Sequence, residues 1–217
     1  MKTKILTISA LVATFLINAA FAGSGSLSVG YGSDLFRRGS LIAKDSLQTE
    51  ASYSSEVGGF GFSAGAQSAH SNESSGDVYI LSGGFDKSVN DLLSLYVGLE
   101  HVEAIGGASQ LDGLLSVSLN TVLSPTILIS RSVDEDLYTY ELGLSHDIDL
   151  GIADASVRAS LGNTDTVSQN NVDYYSVGLV VSKEIQEGLN LSISGDFVDS
   201  DTIKDDFIVG AMLSTSF

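Results

Sequence analysis

From Gly23 to Phe217, apolar residues alternate with small or polar ones at a period of two, and the i, i+3, i+4 spacing of an amphipathic helix is sustained nowhere. Side chains on a strand point alternately to opposite faces, so this stretch must fold as strands with one apolar and one wet face. In the last segment Phe207, Val209, Ala211, Leu213, Thr215 and Phe217 oppose Gly210, Ser214 and Ser216. The one before it sets Leu189, Leu191, Ile193 and Phe197 against Asn190, Ser192, Ser194 and Asp196.

The same parity runs backwards through segments near Tyr175 to Val181, Ala153 to Leu161, Tyr138 to Leu144, Leu111 to Leu119, Leu93 to Leu99, Tyr79 to Phe85, Phe60 to Ala66 and Leu47 to Tyr53. The first segment sets Leu27, Val29, Tyr31 and Leu35 against Ser28, Gly30, Gly32 and Asp34. One more, Thr126 to Ser132, carries Ile127 and Ile129 on one parity and Leu128 on the other. It follows Pro125, which a strand start permits, so it is read as a strand without assigned facing.

Twelve segments result. The turns at Val57-Gly58, Ser88 to Asp91, Thr121 to Ser124, Ile148 to Leu150 and Ile185 to Gly188 are short; the stretches Ser71 to Gly76, Gly162 to Asn171 and Asp199 to Asp205 are more polar. An even number of strands returns both chain ends to one side, as bacterial single-chain barrels require. Outward aromatics fall into two sets, Tyr53, Phe60, Phe62, Phe85 and Phe217 near one rim and Tyr79, Tyr138, Tyr140, Tyr175, Phe197 and Phe207 near the other. A membrane barrel needs such rings at both lipid boundaries, whereas a soluble sandwich buries its large aromatics in mid-strand. The expected fold is all-β: a transmembrane antiparallel up-and-down β-barrel of about twelve strands.

The N-terminus supplies a matching address. Lys2 and Lys4 precede an apolar run from Ile5 to Leu16, and Ala20-Phe21-Ala22 offers small residues around a cleavage point, the pattern of a secretory signal peptide. Thr7, Ser9, Thr14 and Asn18 interrupt the run, which does not suit a retained membrane anchor. The division expected is 1–22 signal and 23–217 barrel, exported through the periplasm to the bacterial outer membrane. Cleavage leaves eight basic against 27 acidic residues, a net charge of -19. No basic cluster exceeds Arg37-Arg38, which argues against nucleic acid as a partner. With no cysteine, disulfides, thiolate metal sites and cysteine nucleophiles are excluded.

On this register the lumen is lined largely by Ser and Gly, and twelve strands with small linings leave a narrow aqueous passage unless large inward groups or an infolded loop block it. Its expected charges are Asp34, Glu50, Glu100, Asp112, Glu141, Asp154 and Asp196 against Arg38 and Arg158. The two arginines should pair with nearby carboxylates, and the net negative lining should favour cations mildly. Arg37, His101 and Arg131 fall on the lipid-facing parity near the outer rim, within reach of lipopolysaccharide phosphates or snorkelling to water.

The run Ser33-Asp34-Leu35-Phe36-Arg37-Arg38-Gly39-Ser40, followed by Leu47-Gln48-Thr49-Glu50-Ala51-Ser52-Tyr53, resembles the opening of the small TorF-like porins. Their usual pattern is Ser-Asp-Tyr-x-Phe-Arg-Gly and then a strand rich in Gln and Tyr. Here Leu35 stands for the Tyr and Arg37 for the Phe, so Ser33, Asp34, Arg38 and Gly39 carry the match. The strand Met212 to Phe217 similarly resembles the terminal signal that outer-membrane proteins present to the barrel-assembly machinery, with Phe217 as its last residue. These resemblances imply a porin-like barrel that interacts with that machinery and with outer-membrane lipid and lipopolysaccharide.

Catalysis needs a nucleophile, a base and an orienting group in mutual reach, but His70, His101 and His146 lie on separate strands facing lipid or a rim, and no enzyme is expected. Asp134-Glu135-Asp136 and the acidic run Asp199 to Asp206 lack the glycine and ligand spacing of a calcium loop, and no cofactor or metal is implied. The function expected is passive diffusion of small hydrophilic solutes or ions through a porin-like channel. The alternative is a structural or surface-recognition barrel with a blocked lumen. The sequence assigns neither a solute nor an oligomeric state.

Overall fold

The computed structural model describes residues 23–72, 76–107, 109–133, 137–165 and 171–217. The expected signal segment 1–22 and the acidic triplet 134–136 lie outside the described residues, as do parts of two polar loops.

Twelve strands close into a single antiparallel barrel. They are β1 (Gly23–Arg37), β2 (Ser40–Val57), β3 (Phe60–Ser71), β4 (Val78–Asn90), β5 (Leu93–Ala104), β6 (Ser109–Leu119), β7 (Thr126–Ser132), β8 (Tyr138–Asp149), β9 (Asp154–Thr164), β10 (Val172–Gln186), β11 (Leu189–Ser200) and β12 (Asp206–Ser216). Each pairs with its sequence neighbours, and β1 pairs with β12 from Ser26↔Ser216 to Gly32↔Gly210. Phe217 extends this seam by exchanging backbone hydrogen bonds with Gly25 at 2.9 and 3.0 Å. Gly23 and Phe217 lie at what we term the terminal rim; the opposite end is the loop rim. Closure leaves no unpaired sheet edge along the seam, which satisfies the backbone in a solvent that offers no hydrogen bonds.

The outer surface is apolar as alternation requires. Val97 and Ile193 are each 59% exposed, and Leu99, Ile127, Leu161, Val177, Leu179 and Val209 stand beside them on the same face. So continuous an apolar surface far exceeds the few hundred Å² seen on soluble monomers, and lipid is the solvent it fits. The facing of β7 resolves accordingly: Ile127 points out at 54% exposure, and Leu128 lines the interior. Both aromatic groups form ring contacts. Tyr53–Phe62 (6.4 Å) and Phe62–Phe85 (5.4 Å) mark the terminal rim, while Tyr138–Tyr140 (6.2 Å) and Tyr175–Phe197 (6.1 Å) mark the loop rim.

On the inner face, hydroxyls pair across strands, as in Ser24···Ser54 (2.8 Å), Ser26···Ser52 (2.7 Å) and Ser160···Ser176 (2.9 Å). Two inward aromatics interrupt this small-residue lining. A methyl group built on Gly84 or Gly98 would collide with the Tyr96 hydroxyl, and one built on Gly162 would collide with Tyr174, so both tyrosines lie across glycines of the wall. Gly98→Val should therefore destabilise the barrel by about 1–3 kcal/mol through overpacking. Urea unfolding of the barrel refolded into vesicles measures this, and adding Tyr96→Ala should recover only part of the loss, since the Gly83 carbonyl oxygen also lies 2.8 Å from the added carbon.

The largest departure from a plain barrel is in β1 and β2. β1 leaves β12 after Gly32↔Gly210, although β12 continues to Asp206 against β11. β2 leaves β3 at Ser46↔Ser71. Residues 33–45 therefore form a two-stranded hairpin that belongs to neither side of the wall. Ser71 Oγ donates to Lys44 O (2.5 Å), Asn72 N to Asp45 O (3.1 Å) and Val209 N to Ser33 Oγ (3.1 Å), so groups exposed by the departure find partners. The hairpin folds inward over the lumen. At about 3.3 Å per residue, its roughly 20 Å arms reach most of the way across a bore about 24 Å wide between backbones.

Local sequence makes this possible. The turn is Arg38-Gly39, both at positive φ (46° and 83°), as a two-residue type I′ hairpin requires. At Gly39 a side chain would also press on Val172 and Tyr174, so glycine is needed twice over. The register slips between Leu35 and Phe36, where Leu35↔Ala43 is followed by Phe36↔Leu41 and Ile42 is the extra residue. This bulge bends the arm and turns its side chains. Leu35 and Ile42 pack on a buried apolar cluster of Ala43, Ala69, Val78 and Ile80, flanked by Val102 and Ala104. The outward placement of Leu35 expected from parity is thus corrected, because beyond Gly32 the strand has left the wall and both its faces meet the lumen.

Candidate functional site

The tip of the hairpin is where the charged residues converge. Arg38 Nη1 donates to Asp112 Oδ2 at 2.5 Å and its Nη2 lies 3.0 Å from Glu100 Oε1. Arg37 pairs with the same Glu100 oxygen. Asp112, on β6, is only 2% exposed and accepts a second bond from Gln110 Nε2 at 2.8 Å. Parity puts Arg37 on the lipid-facing side, whereas the structure has it inside, pairing with Glu100, for the same reason as Leu35. His101 and Arg131 stay on wall strands, and Arg131 lies 5.6 Å over the Tyr138 ring near the loop rim.

Neutral bonds hold the tip against the far wall. Thr164 Oγ1 donates to Arg38 O (3.2 Å), and Ser200 Oγ and Thr202 Oγ1 both donate to Gly39 O (3.0 and 2.8 Å). Phe36 meets Tyr174 edge to face with centroids 6.0 Å apart, and the Tyr174 hydroxyl donates to Glu141 Oε2 at 2.6 Å. Deeper in the lumen, Arg158 Nε and Nη2 form a fork with both oxygens of Asp196 at 2.9 and 2.8 Å, the bidentate geometry that favours arginine over lysine.

Beneath the hairpin lies a cavity of about 670 Å³. Asp34, Arg37, Arg38, Glu100, Glu141, Arg158 and Asp196 line it, so seven charged residues from the hairpin, β5, β8, β9 and β11 share one space. Glu50 and Asp154 share the inward parity of Gln48 and Arg158 but sit farther toward the terminal rim, and neither forms an ion pair among the described residues. The nine charges expected to face the lumen thus divide into a paired group at the hairpin and two more solvated carboxylates below it. The Ser/Gly lining expected from sequence is corrected in part: Ser160, Ser176, Ser192, Ser194 and Gly210 are there, but so are Leu114, Leu128, Val180 and Met212.

Several contributors escaped the sequence reading. Phe36, Tyr96, Tyr174 and the tip carbonyls of Arg38 and Gly39 shape the lumen, yet alternation assigns an aromatic inside a barrel no role. The available signal was an inward tyrosine diagonal to glycines, as with Tyr96 beside Gly84 and Gly98. Of the three histidines, His70 pairs with Asp77 (3.2 Å) and His146 with Val122 O (2.8 Å), both away from the lumenal charges. Among the described residues no group of three or more His, Asp or Glu is arranged to hold a metal ion.

A closed barrel of twelve strands, apolar outside and hydroxyl-lined within, defines the outer-membrane porin-like class of fold. No family model matches the chain, and no curated protein matches it. Among solved structures, the KdgM porin superimposes with a TM-score of 0.60 at 12% identity, over 88% of this chain and 99% of the porin. The NanC porin gives 0.57 at 10%, over 88% and 98%, and the COG4313 outer membrane channel from Pseudomonas putida F1 gives 0.54 at 8%, over 90% and 95%. At such identities the likeness is one of architecture.

Proposed function

We propose that this protein is an outer-membrane channel for passive diffusion of small hydrophilic solutes or ions, with its bore narrowed by the β1–β2 hairpin. The observation that carries the reading is the cavity itself, a polar, charge-lined space enclosed by a barrel whose outside suits only lipid. The porin fold neighbours support it, and the opening motif Ser33 to Ser40 favours kinship with the TorF-like porins. Export by a signal ending at Ala22, recognition of Phe217 by the barrel-assembly machinery and contact of the loop rim with lipopolysaccharide belong to the same proposal. Neither an enzymatic role nor nucleic-acid binding forms part of it.

A mild cation preference follows, but its source moves. Glu100, Asp112 and Asp196 are compensated by guanidinium groups, so Glu50 and Asp154 supply the field together with Glu141, whose hydrogen bond from the neutral Tyr174 hydroxyl leaves its charge in place. Reversal potentials in a salt gradient should lean toward the cation and shift toward zero in Glu50→Gln/Asp154→Asn. An anion-selective wild type would overturn this part alone. The docked hairpin favours a second reading, a recognition or structural barrel with a blocked lumen. Planar-bilayer recording separates the two: reproducible conductance steps support the channel, and their absence supports the blocked barrel.

A further inference from the structure

Below the charged hairpin the lumen is not uniformly hydrophilic. Leu114 on β6 and Leu128 on β7 are near neighbours across one strand pair, since Ser116 faces Leu128 and Leu114 faces Ser130. Val180 on β10 and Met212 on β12 belong to another sector of the wall, and all four line the same cavity half-buried. They are distinct from the apolar cluster on which the hairpin packs, which lies on β3 to β5. Ser160 on β9 stands between the two apolar sectors, and Ser176, Ser192 and Ser194 on β10 and β11 add hydroxyls around Val180 and Met212.

The charges around this space are committed to one another. Arg37 and Arg38 hold Glu100 and Asp112, Arg158 holds Asp196 in a fork, Tyr174 binds Glu141, and Asp34 is engaged as well. At the hairpin tip, where Arg38, Glu100 and Asp112 are largely removed from water, a charged solute would have to displace a partner and leave an orphaned charge. An uncharged one meets free apolar surface and serine hydroxyls at no such cost. A cavity of about 670 Å³ falls within the range of small-molecule sites, which are mainly apolar with a few placed polar groups.

We infer that this cavity is a binding subsite for uncharged amphipathic molecules of one- or two-ring size, with the apolar face against Leu114 and Leu128 and hydroxyl groups toward the serines. The inference rests on the lumen being a permeation path, yet it is testable apart from conduction. The mature protein, refolded in detergent, is titrated calorimetrically with 4-nitrophenyl glucoside, with glucose and with 4-nitrophenyl phosphate. The expected result is saturable binding of the aryl glucoside, at least about tenfold tighter than either comparator, a difference of about 1.4 kcal/mol. Leu114→Ser/Leu128→Ser should weaken it about tenfold, since each substitution removes a partly buried branched side chain. Leu114→Met should retain it, and heat-modifiable gel mobility establishes that each variant has folded.

No saturable binding, or binding unchanged by the double serine variant, overturns the subsite whether or not the protein conducts. Equal affinity for the phosphate overturns the preference for uncharged molecules. Binding without conductance would support the subsite and overturn the channel; conductance without binding would do the reverse.

Discussion

Replacing residues 34–44 with Asn-Gly, so that a two-residue turn joins Ser33 to Asp45, is expected to raise single-channel conductance at least about twofold, because the hairpin reaches most of the way across the bore. The fold should survive the change. The β1–β12 ladder from Ser26 to Gly32 and the β2–β3 ladder from Ser46 to Val57 are untouched, and Asn-Gly is the preferred type I′ pair. The variant also removes Arg37 and Arg38 and uncovers Glu100 and Asp112, so its cation preference should increase together with its conductance. Bilayer recording with a reversal-potential measurement reads both. Unchanged conductance would place the narrowest point elsewhere, with Tyr96 the leading candidate.

The second large effect is expected at Arg38. Its guanidinium is the partner of Asp112, whose carboxylate has almost no access to water, and it also reaches Glu100, which is 8% exposed. Removing one member of a buried ion pair leaves the other desolvated and uncompensated, at a cost of about 3–5 kcal/mol. Arg38→Ala should therefore lower the urea midpoint of the barrel in vesicles clearly, or release the hairpin so that Asp112 regains water. The second route would appear as a noisier and larger conductance, so the pair of measurements distinguishes them. Arg38→Ala combined with Asp112→Asn should recover part of the loss, since no unpaired charge then faces Arg38's place. A single variant with wild-type stability and conductance would show that the latch contributes nothing.

Much of this molecule could be read from alternation. Phe207 to Phe217 and Leu189 to Phe197 define their strands and facings without reference to anything distant, because lipid on one side and water on the other sort side chains position by position. The same logic recovers the strand number and the two aromatic groups. It fails for Leu35 and Arg37 because parity has meaning only while a strand stays in the wall. Nothing local to Ser33–Asp45 announces the departure except Arg38-Gly39, which marks a turn but not its direction. It also passes over Leu128, whose facing depends on its pairing with Ser116 and Glu141 across the wall.

The pairings of Arg38 and Arg158 with lumenal carboxylates were foreseeable in kind, since charges inside a narrow bore seek each other. Their partners were not, because Asp112 stands 74 residues from Arg38 and Asp196 stands 38 from Arg158. Sequence alone pointed to a closed antiparallel barrel of about twelve strands, since a period-two pattern with one apolar face needs lipid on that side and closure to pair its edges. Only the tertiary structure decided that β1 and β2 abandon the wall and carry two arginines across the bore. That choice depends on a bulge at Ile42, an apolar bed on β3 to β5 and hydroxyl donors on β9 and beyond β11, which come together only when the barrel has closed.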